Sequence, residues 1–336
     1  LEWSGSSLAT VFAQRRNLAN PRFLGMLLEL LRFNRITTQM ALTGDADALQ
    51  QGIGEFLDEH RFSQAFREWY FLPMIACIWS CPAEQMLAFP VATMIRFCHN
   101  HGLLQVADRP QWMTVRGGSR EYVRRMVAGI SSTGELRLST PVTAVRRFAH
   151  GLQVHTANGP ERFDDVVLAC HTDQALRLLG TDATLQERHV LGAIRYRPNT
   201  AVLHTDTALL PRRRQAWAAW NHEHAVAGTG GPDAGVCLHY LINRLQPLPF
   251  AQPVLVSLNP LRAPRADQVI ARFQYDHPVF DSAAIRAQAE LPALQGHQHT
   301  WFCGAWAGCG FHEDGLKSAQ DLLLAMRLRY PVAQAA

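Results

Sequence analysis

Thr300-Trp301-Phe302-Cys303-Gly304 is a short apolar run that passes through Ala305, Gly308 and Gly310 straight into Phe311-His312-Glu313-Asp314-Gly315-Leu316. Leu316, Ala319, Leu323, Met326 and Tyr330 then recur at spacings of three and four, and Pro331 follows. The pattern predicts a strand, a tight glycine turn and a helix with one packed apolar stripe. Asp314 falls where an N-cap or first-turn acid belongs. A helix launched directly from a strand end is the unit of layered α/β proteins, which restricts the fold more than any other feature of the chain. Glycines let a ligand approach the backbone, and a helix N-terminus offers N–H groups with about half a positive charge, so anionic groups are favoured there. An ordinary strand-to-helix turn that binds nothing has the same pattern.

Upstream, residues 1–110 read as an all-helical block. Leu24, Leu27, Leu28 and Leu31 form a stripe in a helix over Pro21 to Phe33, read as a buried face. Ile53 to Glu59 and Ser63 to Trp79 continue as short helices, with Pro73 and Pro82 at kinks or ends. From Gln111 the texture changes. Ser119 to Ala128 reads as a helix, Leu136 to Leu138, Pro141 to Phe148 and Leu152 to Thr156 as strands, and Asn158-Gly159 as a hairpin turn. Val166-Val167-Leu168-Ala169 is apolar on both faces, as expected of a strand in the middle of a layered domain. Thr200 to His204, Trp217 to Asn221, Val236 to Asn243, Val254 to Leu258 and Val269 to Tyr275 suggest a mostly antiparallel sheet. The expected division is 1–110 and 183–290 for a substrate domain, interleaved with 111–182 and 291–332 for an α/β domain.

Composition removes several function classes. With 48% hydrophobic and 18% charged residues the chain is globular rather than disordered. The basic residues are scattered as Arg15-Arg16, Arg124-Arg125 and Arg146-Arg147, with a longest run of Arg212 to Arg214, which does not suit a nucleic-acid face. Lys317 is the only lysine among 32 Lys and Arg residues, a bias expected of a GC-rich bacterial source. Seven cysteines without a paired CxxC framework suggest reduced thiols in a cytoplasmic setting, and Cys77 and Cys81 read as small packing residues. No metal-ligand spacing stands out: His222-Glu223-His224 lacks the i, i+4 spacing of a helical metalloprotease motif, so no metal is expected. The start at Leu1, without a basic or signal-like stretch, suggests that the native amino terminus precedes it.

The segment WFCGAWAGCGFHEDGLKSAQDL resembles the carboxyl-terminal FAD motif of the flavin amine oxidase and phytoene desaturase superfamily. VRGGSREYV, TPVTAVRR, FDDVVLACHTDQAL, LHTDTALLP, AWAAWNH, LINRLQ and YDHPVF extend the resemblance to a bacterial subgroup of NAD/FAD-binding proteins, related to the oxidase-like domain of plant cyclopropane fatty acid synthases. The resemblance implies a mixed α/β (α+β) fold: a Rossmann-like FAD-binding domain interleaved with a substrate domain of antiparallel sheet plus helices. It implies FAD as cofactor, with the backbone of Val142 at the adenine, Ala169 to His171 at the adenosine, and Gly304 and Ala305 near the pyrophosphate and ribityl chain. Gly310, Phe311, Glu313, Asp314, Gly315 and Leu316 would pass beneath the flavin, whose reduced form carries negative charge near N1. The family's opening strand, GxGxxG turn and helix, at least ~30 residues, is absent; Gly52-Ile53-Gly54 and Gly228 to Gly231 do not replace it. The α/β domain is therefore expected to be truncated, and this chain alone to bind FAD poorly.

Many amine oxidases of the superfamily use a lysine near flavin N5 with an aromatic cage. Lys317 falls in the first turn of the last helix and is expected to face solvent, which argues against amine oxidation by that scheme. Phe311 stands where the cage often has tyrosine and Tyr275 is the candidate for another ring, while His277 and His312 are the candidate proton carriers, each with a plain structural alternative. Hydride transfer to flavin needs no protein nucleophile. Met26, Leu27, Leu30, Trp69, Phe71, Leu72, Met74, Ile75 and Trp79 supply either a hydrophobic substrate tunnel or a core. The expectation is an FAD-dependent oxidoreductase acting on a hydrophobic, acyl-lipid-like or other small-molecule substrate, with peripheral membrane contact. The alternatives are a non-catalytic flavin-binding scaffold partnering a lipid methyltransferase, and a carotenoid or polyene desaturase.

Overall fold

The computed structural model describes residues 1–44, 51–79, 86–224 and 237–330. Pro82, Cys81, Gly228 to Gly231 and Pro331 lie outside the described residues. The chain forms two compact units, Leu1–Gly129 with Pro198–Asp276, and Ile130–Arg197 with His277–Ala336. Each is built from segments distant in sequence. Among the described residues no helix is long and apolar enough to cross a membrane.

In the first unit α1 (Pro21–Thr43), α2 (Ile53–Glu59), α3 (Leu72–Trp79), α4 (Val91–Asn100) and α5 (Arg120–Ile130) are helical. The Asn20 side chain accepts the Arg22 and Phe23 N–H groups ahead of Pro21, and Gly44 at φ +79 ends the helix, which explains why α1 runs well beyond Phe33. Its buried face is Phe23, Met26, Phe33, Asn34 and Thr37. Leu24, Leu28 and Leu31 are exposed, contrary to the expectation of a buried leucine stripe. The larger rings decide the direction: Phe33 meets Phe56, Phe62, Phe66 and Phe71 at centroid distances of 5.1 to 6.4 Å. Met26, Phe71, Ile75 and Trp79 belong to core, while Leu27, Leu30, Trp69, Leu72 and Met74 are half-buried. Ahead of Pro73, which has no N–H to give, the helix passes through a π-helical turn at Arg67–Phe71.

The same unit holds a five-stranded sheet in the order β6-β7-β8-β5-β9. Its strands are β5 (Arg195–His204), β6 (Trp220–Glu223), β7 (Cys237–Leu241), β8 (Leu255–Leu258) and β9 (Val269–Val279). The pairs β6/β7, β7/β8 and β5/β8 are antiparallel, with Glu223 opposite Cys237 and His239 opposite Ser257. One face packs Leu238, Leu258 and Ala201 against Ala76 and Cys77 of α3.

The second unit contains a meander, β1 (Ala144–Phe148), β2 (Gly151–Thr156) and β3 (Gly159–Phe163), and a parallel pair, β4 (Val166–Leu168) with β10 (Thr300–Phe302). Leu136 to Leu138 is not a strand. Ser139 takes φ +54 and Pro141 lacks a ladder donor, so extended pairing begins only at Ala144. The β2–β3 connection is Ala157-Asn158, and Gly159 opens β3 at φ +104 instead of sitting in the turn. Val167 and Ala169 are exposed, against the expectation of a strand covered on both faces, because among the described residues β4 pairs only with β10. Helices α6 (Thr172–Leu179), α7 (Leu185–Gly192) and α8 (Ser282–Glu290) surround a core of Val145, Leu152, Leu168, Leu179, Leu191 and Phe302. Helix α9 (His312–Arg329) is the last element among the described residues.

A buried ion pair ties β1 to α7. Arg147 Nη2 donates to Glu187 Oε1 at 2.8 Å and Nη1 to Oε2 at 3.0 Å, with the side chains only 4% and 1% exposed. Glu187 Oε2 also accepts the Thr184 N–H at 2.8 Å. Removing one partner of such a pair strands a charge in the interior. Glu187→Ala is expected to lower unfolding free energy by about 3–5 kcal/mol, with much of the loss recovered in the Arg147→Met/Glu187→Ala double variant. Chemical denaturation of the three proteins checks this; equal losses in single and double variants would refute it.

Candidate functional site

Strands β4 and β10 run in register, Thr300 beside Val166, Trp301 beside Val167 and Phe302 beside Leu168. The Cys303 N–H donates to Leu168 O at 3.3 Å, so Cys303-Gly304 and Ala169-Cys170 leave the sheet side by side at the carboxyl ends of parallel strands. That is where open α/β sheets bind ligands. Four side chains hold the turn that follows. Gln295 accepts the Phe302 N–H at 2.9 Å and donates to Phe302 O at 2.7 Å, as a neighbouring strand would. Trp306 Nε1 donates to Cys170 O at 3.0 Å, and Gln288 Nε2 donates to both Trp306 O and Gly308 O at 2.8 Å. Ser318 Oγ accepts the Gly304 N–H at 3.0 Å and donates to Gly315 O at 2.8 Å, fastening the turn to α9.

Side chains are excluded from this turn by contact. A Cβ on Gly304 would lie 2.5 Å from Trp306 Nε1, and one on Gly308 would lie 2.5 Å from Asp314 Oδ1. Gly310 adopts φ +92, in the region glycine favours. Phe311 is the N-cap residue of α9, its N–H donating to Asp314 Oδ2 at 2.9 Å. Asp314 is thus a first-turn acid bound back to the cap. Burial raises the Cys303 and Cys170 thiols above their ordinary range, which makes them neutral packing groups and not nucleophiles. The six described cysteines are all free thiols.

The structure gathers Ala169, Gly304 and Ala305 at the strand ends, and Gly310, Phe311, Glu313, Asp314, Gly315 and Leu316 in the turn and first turn of α9. Gly310, Glu313 and Leu316 are exposed. Val142, also exposed, lies just before Thr143, whose N–H donates to His155 O at 2.8 Å. The stripe expected on α9 is displaced. Leu316, Leu323 and Tyr330 are exposed, and the packed face is Leu322 with Ala319, Ala325 and Met326 against Trp301 and Cys303. The indole of Trp301 fixes that rotation by donating from Nε1 to Asp165 Oδ1 at 2.9 Å. Lys317 is exposed. Of the proton-carrier candidates, His312 is exposed at the first position of α9 and His277 is half-buried. Tyr275 belongs to the other unit, where it is exposed and stacked on Phe273 at 5.9 Å. Sequence reasoning missed Gln288, Gln295, Trp306 and Ser318. The first two carried no motif, while Ser318, one turn after Asp314 on the glycine-turn helix, could have been found from spacing.

A family model described as flavin containing amine oxidoreductase matches residues 23–229. Among solved structures the chain is similar to a CLA-producing fatty acid isomerase from P. acnes, with TM-score 0.60 and 14% identity over 93% of this chain and 76% of that one. It is also similar to cyclohexylamine oxidase from Brevibacterium oxydans, with TM-score 0.57 and 14% identity over 90% and 75%. At such identity these likenesses carry the fold. None of the curated proteins matches it in sequence.

Ser318→Ala leaves the Gly304 N–H without its acceptor, so a loss of about 1–3 kcal/mol in unfolding free energy is expected. A denaturant midpoint within error of the parent protein would show that the hydroxyl does not brace the turn.

Proposed function

We propose, from the premise that this chain belongs to the flavin containing amine oxidoreductase family and is an FAD-dependent oxidoreductase, that its substrate is a hydrophobic, acyl-lipid-like molecule. The residues present fit the cofactor. The turn from Gly304 to Gly310 excludes side chains at the carboxyl ends of two parallel strands, and α9 begins directly after it. Gly304 and Ala305 would hold the pyrophosphate and ribityl chain, Gly310 to Leu316 the flavin edge, Ala169 the adenosine and the Val142 backbone the adenine. Bound FAD supplies the hydride acceptor. The chain's part is to set the backbone of that turn and place positive helix-terminal N–H groups where reduction builds negative charge.

The acyl reading is carried by the first unit. A shallow groove of about 490 Å³ runs along the carboxyl half of α1, lined by Asn34, Arg35, Thr38, Gln39, Leu42, Thr43 and Leu104. Two leucines beside the cation Arg35, with the carbon stems of the polar side chains between them, suit a chain ending in a carboxylate or phosphate. That a fatty acid isomerase has the same fold supports this choice. The exposure of Lys317, the only lysine, weighs against a lysine-held water of the amine oxidase kind.

Anaerobic titration of the FAD-loaded protein tests the reading. Long-chain fatty acids or their esters are expected to bleach the flavin absorbance, whereas benzylamine and putrescine are not. Arg35→Leu is expected to weaken the acyl substrate about tenfold or more, the worth of one charged hydrogen bond. Bleaching by amines would sink the substrate assignment, and bleaching by no acyl compound would favour a flavin-binding scaffold that assists a lipid methyltransferase.

A further inference from the structure

The flavin reading leaves unused a polar row that crosses one face of the five-stranded sheet. Glu223 on β6, Cys237 and His239 on β7, Ser257 on β8 and His204 on β5 contribute to it. Cys237, His239, Ser257 and His204 are at most 2% exposed, and Glu223 is half-buried. Strand alternation explains the grouping. Cys237 and His239 lie two apart on one strand and so share a face, Glu223 is the cross-strand partner of Cys237, and Ser257 is that of His239. His222 and His224 alternate onto the other face, so His222-Glu223-His224 is a strand in which only the middle residue joins the row.

The hydrogen bonds fix a direction along the row. The Asp206 N–H donates to His204 Nδ1 at 3.1 Å, so the neutral His204 ring carries its proton on Nε2 and donates to Ser257 Oγ at 2.7 Å. Ser257 Oγ then donates to His239 Nδ1 at 2.6 Å, and His239 Nε2 donates to Glu223 Oε2 at 3.1 Å. Arg262 Nη2 holds the other carboxylate oxygen, Oε1, at 3.1 Å. Glu223 is thereby oriented with Oε2 toward both His239 and Cys237.

At that end of the row three donor atoms converge: Glu223 Oε2, Cys237 Sγ and His239 Nε2 all lie within 4.8 Å of one another. The separations are 3.1 Å for N to O, 3.5 Å for S to N and 3.8 Å for S to O. A tetrahedral zinc ion, with bonds of about 2.0–2.3 Å, sets its ligands roughly 3.3–3.5 Å apart. The three side chains are thus within a few tenths of an ångström of the edges of such a tetrahedron. We propose that Glu223, Cys237 and His239 form a site for a divalent transition metal of the zinc class. Thiolate, imidazole and carboxylate together select a borderline-soft ion over magnesium or calcium, which prefer oxygen alone.

The protons balance without a further reactant. Cys237 enters as thiolate, its S–H bond exchanged for a sulfur–metal bond and the proton passed to solvent. His239 stays neutral and moves its proton from Nε2 to Nδ1, where Ser257 Oγ accepts it. Ser257 Oγ then accepts from both His204 Nε2 and His239 Nδ1, its own O–H turning away from the His239 ring, and orients the imidazole as an acceptor does around metal-bound histidine. Three protein ligands leave a fourth position of the tetrahedron for water.

Cobalt reports on this site independently of flavin. Protein stripped with a chelator and then dialysed against Co²⁺ is expected to retain one ion per chain and to show thiolate-to-cobalt charge-transfer absorption, which Zn²⁺ then displaces. Cys237→Ser is expected to abolish that absorption. Cys77→Ser is expected to keep it, because the Cys77 thiol packs with Leu238 and Leu258 on the opposite face. Ser257→Ala, with every ligand intact, is expected to weaken binding by about 10–100-fold. Absence of the absorption in the parent protein overturns the proposal without any variant having to fold, and so does its survival in Cys237→Ser. Glu223→Gln, at a half-exposed position, is expected to weaken binding while keeping the charge-transfer signal; unchanged affinity there would remove Glu223 from the site.

Discussion

A parallel strand pair of three residues cannot hold a ligand turn in place unaided, and the site depends on what completes it. Gln295 supplies both hydrogen bonds that a further strand would give Phe302, while Trp306 reaches from the turn back to the end of β4. Once the strand end is fixed, Gln288 holds two carbonyls of the turn and Ser318 binds it to α9. The positive end of that helix is therefore placed by side chains packed against the turn, and Trp306, Asp314 and Phe280 fill the positions that side chains on Gly304, Gly308 and Gly310 would take.

The strand-turn-helix order from Thr300 onward was legible because it is local: glycines, a first-turn acid and helical spacing lie within one stretch. The identity of the elements came through for the same reason, in the helices of the first unit and the five strands of its sheet. Direction did not. Leu24, Leu28 and Leu31 show that α1 has an apolar side, but only the cluster of Phe33 with four other rings decides that this side faces outward. Similarly, Trp301 and Asp165 rotate α9 so that Leu322, and not Leu316 or Leu323, is covered. Arg147 with Glu187, and Gln295 with Phe302, join positions that no periodicity links.

Helical spacing, applied to His222-Glu223-His224, is blind to the cluster that Glu223 joins. A rule of i, i+4 tests for one face of a helix, whereas a strand presents every second residue and brings in neighbours from other strands. Glu223, Cys237 and His239 meet only because β6 and β7 pair in the register that sets Glu223 opposite Cys237. A shift of one residue would carry Cys237 and His239 to the face that Leu238 now occupies, and Leu238 to theirs.

Gln295 has one more effect, on encounters between molecules. A strand end with free N–H and C=O groups is a template on which another chain can add by pairing, and sheet proteins protect such edges with charges, bulges or covering segments. Here a single amide takes up the donor and the acceptor of Phe302 on the side away from β4. The outer edge of β10 is therefore closed to intermolecular strand addition at Phe302, beside the turn proposed to hold the cofactor.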